Sequence, residues 1–200
     1  MTFWSTQFKD DPTLRDPKRK FRFKVTFTGL GDAGGVLWYA KSAEKPSFAI
    51  AQSEHKYLNH TFYYPGSVTW NPVTIIMVDP VKPDMAASMA DIINAGGYTI
   101  PTTNSDLTTM SKAKAASALG QVMVTQIDSN GTEIEAWTLK NAFIVDLKFG
   151  DLAYGADELT ELTIQLRYDW ATLDTTNTDG SDRSPAGAQG PTEVKEFFKN

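Results

Sequence analysis

The sequence predicts a mainly β fold of the α+β class, an antiparallel β-barrel or sandwich with one packed α-helix. Three observations carry that expectation. Apolar and polar residues alternate at strand period through residues 21–27. The last third of the chain is strand pattern broken only by turn residues. Helical period, by contrast, stands out between Asp84 and Gly97.

Taken in order, the first strand pattern covers residues 20–29, where Phe21, Phe23, Val25 and Phe27 alternate with Arg22, Lys24, Thr26 and Thr28. A second covers residues 35–42. The aromatic-rich stretch HKYLNHTFYYPGSVTW follows, with a turn expected at Pro65 and Gly66. Residues 73–79, VTIIMVD, are apolar at nearly every position, as in a strand covered on both sides; Asn71 and Pro72 before them suggest an edge or a bulge. Asp84 can cap a helix in which Met85, Met89, Ile92 and Ile93 share a face and which Gly96 and Gly97 end. The Ala-rich segment from Ser105 to Leu119 allows a short helix ended by Gly120. Strands then follow at QVMVTQID, TEIEAWTL and AFIVDLKF, with a turn at Asn130 and Gly131 and a turned stretch at residues 150–157. The last pattern, ELTELTIQLRYDWATL, is read as one strand with Leu162, Ile164, Leu166, Tyr168 and Trp170 on its buried face. From Asp174 the chain turns to Thr, Asp, Gly, Ser, Pro and Ala, a linker composition, before Val194, Phe197 and Phe198. The expected organisation is a basic arm over residues 1–19, one domain over 20–173 and a flexible extension over 174–200.

Two hundred residues suit one domain with a substantial core. The absence of cysteine excludes disulfides, thiolate metal sites and thiol nucleophiles. No run reaches the roughly 18 apolar residues of a membrane span. The opening MTFWSTQFKD lacks a signal peptide's apolar core, so an intracellular origin is expected. Net charge is −5, unevenly spread: residues 1–24 hold seven Lys and Arg against three Asp, leaving twelve against twenty-one elsewhere. A basic arm leading an acidic body can dock on a neighbouring copy through Lys18, Arg19 and Lys20, or bind nucleic acid.

Signs of chemistry are weak. Gly29, Gly31 and Gly34 fit G-x-G-x-x-G, and Glu54 stands near the place of a ribose-binding acid. Yet Gly35, Val36, Leu37, Trp38 and Tyr39 follow instead of a helix whose amides could face phosphate, so a hairpin loop is the better reading. No G-x-S-x-G elbow accompanies His55 and His60, which are five apart in a strand-like region and therefore expected on opposite faces. Glu133 and Glu135 share a strand phase, as a general acid and base would, but so do ordinary solvated pairs. Asp128, Asn130 and Gly131 match part of a calcium loop without its closing glutamate or flanking helices. No catalytic residue, cofactor or metal is expected. The apolar crowding of Leu58, Phe62, Tyr63, Tyr64 and Pro65 instead predicts a contact with a neighbouring subunit.

Two longer phrases are more specific: HTFYYPGSVTWNPVTIIMVDP, and SKAKAASALGQVMVTQIDSNGTEIEAWTLKNAFIVDLKFGDLAYGADELTELTIQLRYDWATL. Together and in this order they resemble the tail tube protein of contractile-tailed bacteriophages, over roughly residues 20–173. The resemblance implies a tail-tube/Hcp-like fold, with six copies forming a ring whose strands join into one inner barrel. Stacked rings would make the tube that passes the genome, with sheath, baseplate and tail terminator proteins as partners. The implied setting is the virion tail, assembled in the host cytoplasm, and the implied role is structural. The tube of a type VI-like secretion or injection machine is the alternative, and a small β-barrel enzyme a more distant one. Because acidic residues predominate outside the arm, the lumen wall is expected to be net negative and to include at least one of Glu133, Glu135, Asp146, Glu161 and Asp169, repelling DNA so that it slides.

Overall fold

The computed structural model describes residues 18–30, 39–102, 108–155 and 157–175, and the backbone of 195–197. Its strands are β1 (Phe23–Phe27), β2 (Ala40–Ala43), β3 (Phe48–Tyr57), β4 (His60–Trp70) and β5 (Val73–Val78); then, after helices α1 (Met85–Ala95) and α2 (Lys112–Leu119), β6 (Val122–Ile127), β7 (Glu133–Lys140), β8 (Phe143–Lys148), β9 (Glu161–Arg167), β10 (Trp170–Thr175) and β11 (Lys195–Phe197). All strand pairings are antiparallel. They make a five-stranded sheet in the order β1-β6-β7-β10-β11, a four-stranded sheet in the order β2-β5-β9-β8, and a separate ribbon of β3 and β4. The expected mainly β class with a packed helix is the class found, with α2 as a second helix.

Period-2 patterning places the core between the two sheets. Val25 and Phe27 of β1, with Val122 and Leu139, face Val73, Ile75 and Met77 of β5 and Leu162, Ile164 and Leu166 of β9. Met85, Met89 and Ile92 of α1 are buried in the same core. Asp84 Oδ1 accepts from Ala87 N at 2.9 Å, so the expected cap starts α1 where the period changes. The segment 73–79 differs from its expectation: Val73, Ile75 and Met77 are buried while Thr74, Ile76 and Val78 are half-buried, because β5 packs on the core through one face only.

Gly29 has a packing role. A Cβ on it would lie 2.1 Å from the Ala118 carbonyl oxygen, and one on Gly120 would lie 2.4 Å from Thr28 Oγ1. The two glycines let the end of α2 touch the backbone leaving β1, where Thr28 N donates to Gln121 O at 3.0 Å. Gly31 and Gly34 lie outside the described residues.

The last strand pattern is two strands. Tyr168 is still buried, but the chain then leaves β9 for β10 in the other sheet, which turns Trp170 outward, 44% exposed. Asp169 holds this crossing against the one from β7 to β8: its backbone N donates to Lys140 O at 3.0 Å, and its carboxylate accepts from Asn141 Nδ2 at 2.8 Å and Lys112 Nζ at 2.6 Å. Long-range polar contacts of this kind leave no period in the sequence. β10 continues two residues past Leu173, and Lys195–Phe197 adds the strand β11 along it.

Candidate assembly surface

Apart from the sandwich stands the β3–β4 hairpin. Val, Thr, Ile and aromatic residues favour strand over its length, yet all ten residues of β3 are exposed, and in β4 only Thr61 and Trp70 are less than exposed. The turn is at Leu58 and Asn59, where Leu58 takes φ 52°, and not at Pro65 and Gly66 as the sequence suggested. Those two residues lie inside β4 at a bulge: Ile50 pairs with Val68 but Gln52 with Pro65, so one extra residue sits opposite Ala51. A bulge tolerates the missing amide of Pro65, and a Cβ at Gly66 would approach Ala51 O to 3.1 Å.

Register assigns the faces. His55 is opposite Phe62 and Tyr57 is opposite His60, so the two histidines share a face with Tyr57, Phe62 and Tyr64. The sequence expectation of opposite faces fails because a turn separates the two residues. His60 stands edge-on to Phe62, with ring centroids 4.7 Å apart. The other face carries Ile50, Val68, Pro65 and Tyr63. Leu58 at the tip is 88% exposed and Tyr63 61%. All five residues assigned to a subunit contact, Leu58, Phe62, Tyr63, Tyr64 and Pro65, are therefore on one projecting ribbon.

The ribbon's base is firm. Phe48 meets Trp70 at 5.0 Å between ring centroids and Trp70 meets Tyr168 at 5.9 Å. Asn71 returns two hydrogen bonds to Ser47, from N at 2.8 Å and from Nδ2 at 3.0 Å. Three residues before β3, Lys45 Nζ donates to Glu135 Oε1 at 2.6 Å and to Gln126 Oε1 at 2.8 Å.

Glu135 is the electrostatic centre of this region. It accepts from Lys18, Lys45 and, at 2.7 Å, Trp137 Nε1. Burial pushes its carboxyl up, but hydrogen bonds from Lys18, Lys45 and Trp137 outweigh that and hold it at about 2. Glu133 does not share this environment: the register slips between Gln126 and Ile127, so that Glu133 is opposite Ile127 and Glu135 opposite Gln126, and Glu133 pairs instead with Lys24. The slip removes the common face expected of the two glutamates. Lys18 of the arm thus contacts its own chain, and Arg19 O accepts from Gln126 Nε2 at 3.1 Å; Lys20 is exposed.

The other acids assigned to a lumen are also paired with lysines: Glu161 with Lys41, Asp169 with Lys112 at 2.6 Å, and Asp146 with Lys148 at 3.9 Å. Hydrogen bonds from Lys112 and Asn141 lower the Asp169 carboxyl, and the Glu161 partner raises Lys41. A bulge at Val145 puts Asp146 opposite Gln165 and Phe143 opposite Arg167, so both lie on the outer side of the sheet, contrary to simple alternation. Sequence reasoning missed the lysine partners because four of the five acids find them at separations of 57 to 120 residues, across different elements. Among the described residues no group of three His, Asp or Glu converges to hold a metal, and the Asp128 turn spends its Oδ1 on Asn130 N and Thr132 N, both at 2.8 Å.

No protein-family model and no curated protein matches the sequence. Solved structures do. The anti-feeding prophage cap, a tube-terminating cap, is 22% identical with a TM-score of 0.61, covering 85% of this chain and 99% of that one. The sheath/tube terminator of PVC, an extracellular contractile injection system, is 18% identical at a TM-score of 0.58, covering 80% and 99%. A chain of the PVC sheath–tube complex is 17% identical at 0.56, covering 81% and 94%. This chain shares the fold of these components of contractile particles.

Proposed function

We propose that the chain is a structural, non-enzymatic tube subunit of a contractile phage tail, in which six copies form a ring and stacked rings conduct the viral genome. Its partners are further copies of itself, the sheath, the baseplate and the terminator, and its place is the virion tail, built in the host cytoplasm. The observation that carries this reading is the β3–β4 ribbon, projecting from a fold shared with tube caps and terminators. A two-stranded ribbon alone is marginal in water, and this one leaves both faces and its aromatic tip uncovered. At about 3.4 Å per residue it is about 34 Å long; with a width of about 10 Å its two faces offer on the order of 700 Å². A specific interface takes about 800 Å² from each partner.

The paired acids refine the expected lumen. With Glu133, Asp146, Glu161 and Asp169 each beside a lysine, a wall bearing any of them is close to neutral. Such a wall also lets DNA slide, since retention requires an excess of cations that releases counterions. Glu135, 8% exposed, is unsuited to lining a channel. Electron microscopy of the purified protein tests the reading: rings of sixfold symmetry stacking into tubes are expected, and a protein that stays monomeric at high concentration refutes it. Deleting residues 1–17 is expected to shorten tubes while leaving the fold intact. Because the similar structures come from injection particles, a tube for an injection machine is the second reading, and nuclease-protected DNA inside native tubes decides against it.

A further inference from the structure

We infer that the outer edge of β10 is a self-association site, on which β10 of a second copy pairs antiparallel about a two-fold axis and which β11 of the same chain contests. β11 covers this edge weakly. It pairs over three residues only, Leu173 with Phe197, Asp174 with Glu196 and Thr175 with Lys195. The middle position sets one acidic residue directly opposite another, and like charges so placed disfavour a ladder. Residues 176–194 separate the two strands in sequence, far more than the roughly 2–5 residues of a hairpin loop, so no tight turn holds β11 in place.

A second β10 fits the edge better. Aligned so that Leu173 faces Leu173 of the other copy, the strands pair from Ala171 to Thr175 and keep the core-facing side chains of both copies on one side. Thr172 then stands opposite Asp174 of the second copy, and Asp174 opposite its Thr172. In the single chain these two residues share the sheet face turned away from the core, and Thr172 Oγ1 and Asp174 Oδ1 are both enclosed with no hydrogen-bond partner among the described residues; Thr172 is 2% exposed. Directly opposite residues have Cβ atoms about 4.5–5.5 Å apart, within reach of a hydroxyl donating to a carboxylate. The two-fold therefore makes two such bonds and gives each copy's two oxygens a partner. The two Asp174 residues are a diagonal pair, about 7–8 Å apart, farther than Asp174 is from the position opposite it. The other sheet edges are less open to strand addition. β2 and β8 are interrupted by register shifts, and bulges blunt an edge; on β1, Lys24 is already held by Glu133. A two-fold contact stops at a dimer and has no place among tube subunits that all point one way, so it acts on subunits before assembly and goes beyond the tube reading.

The chain has no cysteine, so single cysteines read the register. In the unassembled fraction from gel filtration, a short bis-thiol reagent is expected to join Leu173→Cys to itself as a covalent dimer. Trp170→Cys is not expected to join, since the two copies of that position lie about 20 Å apart along the paired strands. Two changes to β11 of the Leu173→Cys protein then test the competition. Lys195→Pro with Glu196→Pro loosens β11, because consecutive residues point their amides to opposite sides and one of the two prolines must remove a ladder bond; the rate of joining is expected to rise about fivefold. Glu196→Lys sets an opposite charge against Asp174 and is expected to lower it about fivefold. Should the cysteine disturb the fold by circular dichroism, sedimentation of the parent against Thr172→Val replaces it, with dimerisation expected to weaken at least about fivefold. Monomer alone in the two-proline Leu173→Cys protein, equal joining at position 170, or unchanged dimerisation of Thr172→Val overturns the inference and leaves the tube reading as it stands.

Discussion

Replacing Glu135 with glutamine tests how the arm and the ribbon base are held to the sandwich. The carboxylate is 8% exposed and receives Lys18, Lys45 and Trp137 Nε1. Holding its carboxyl at about 2 instead of 4.5 corresponds to about 3 kcal/mol, at about 1.4 kcal/mol per tenfold change in proton affinity. The variant is therefore expected to lose about 2–3 kcal/mol at pH 7, since the amide is uncharged and leaves two lysines facing it. The pH dependence has a definite sign. A carboxyl depressed on folding contributes stability that is complete above the unfolded value and disappears as pH falls through the folded one, so the difference between parent and variant should be constant from pH 7 to about 5.5. It should fall to about half by pH 3 and vanish near pH 2. Urea unfolding of unassembled protein, followed by tryptophan fluorescence at several pH values, measures it. Equal midpoints at pH 7, or a difference that does not shrink in acid, would refute the ion cluster as a source of stability.

Other substitutions probe the frame. Gly29→Ala should cost more than about 3 kcal/mol or prevent folding, because its Cβ would stand 2.1 Å from Ala118 O and backbone cannot yield as a side chain can; a urea midpoint near the parent's would contradict this. Asp84→Ala should cost about 1 kcal/mol through loss of the bond to Ala87 N, read from the same unfolding curves. Ile164→Ala, fully buried between the sheets, should cost about 2–5 kcal/mol, and a loss below about 1 kcal/mol would mean that the core is not packed as described. Phe62→Ala with Tyr63→Ala should leave the unfolding curve of the unassembled protein nearly unchanged and abolish tubes in the electron microscope; normal tubes would show that the ribbon is not an assembly element.

What the sequence determined by itself were the features carried by local period and local chemistry. Met85, Met89 and Ile92 recur at helical spacing behind a capping Asp84, and Leu162, Ile164 and Leu166 alternate at strand spacing, so both elements and their buried faces were legible. Asn130 and Gly131 likewise declared their turn, with Gly131 at φ 82°. The aromatic density of residues 57–65 singled out a stretch that the fold leaves exposed on a two-stranded ribbon, although its turn was misplaced. Only the tertiary structure decided what depends on register and on distant partners. The turn at Leu58 and Asn59 brought His55 and His60 to one face, and a single extra residue in β7 or β8 inverts every side chain beyond it, which is why Glu133 and Glu135 were separated and Phe143 joined Asp146 outside. Composition counted an excess of acids but could not see that Lys18, Lys24, Lys41 and Lys112 cross the fold to meet them. Pairing of charges is a long-range property, set by which strands the chain brings side by side, and period within a segment carries no trace of it.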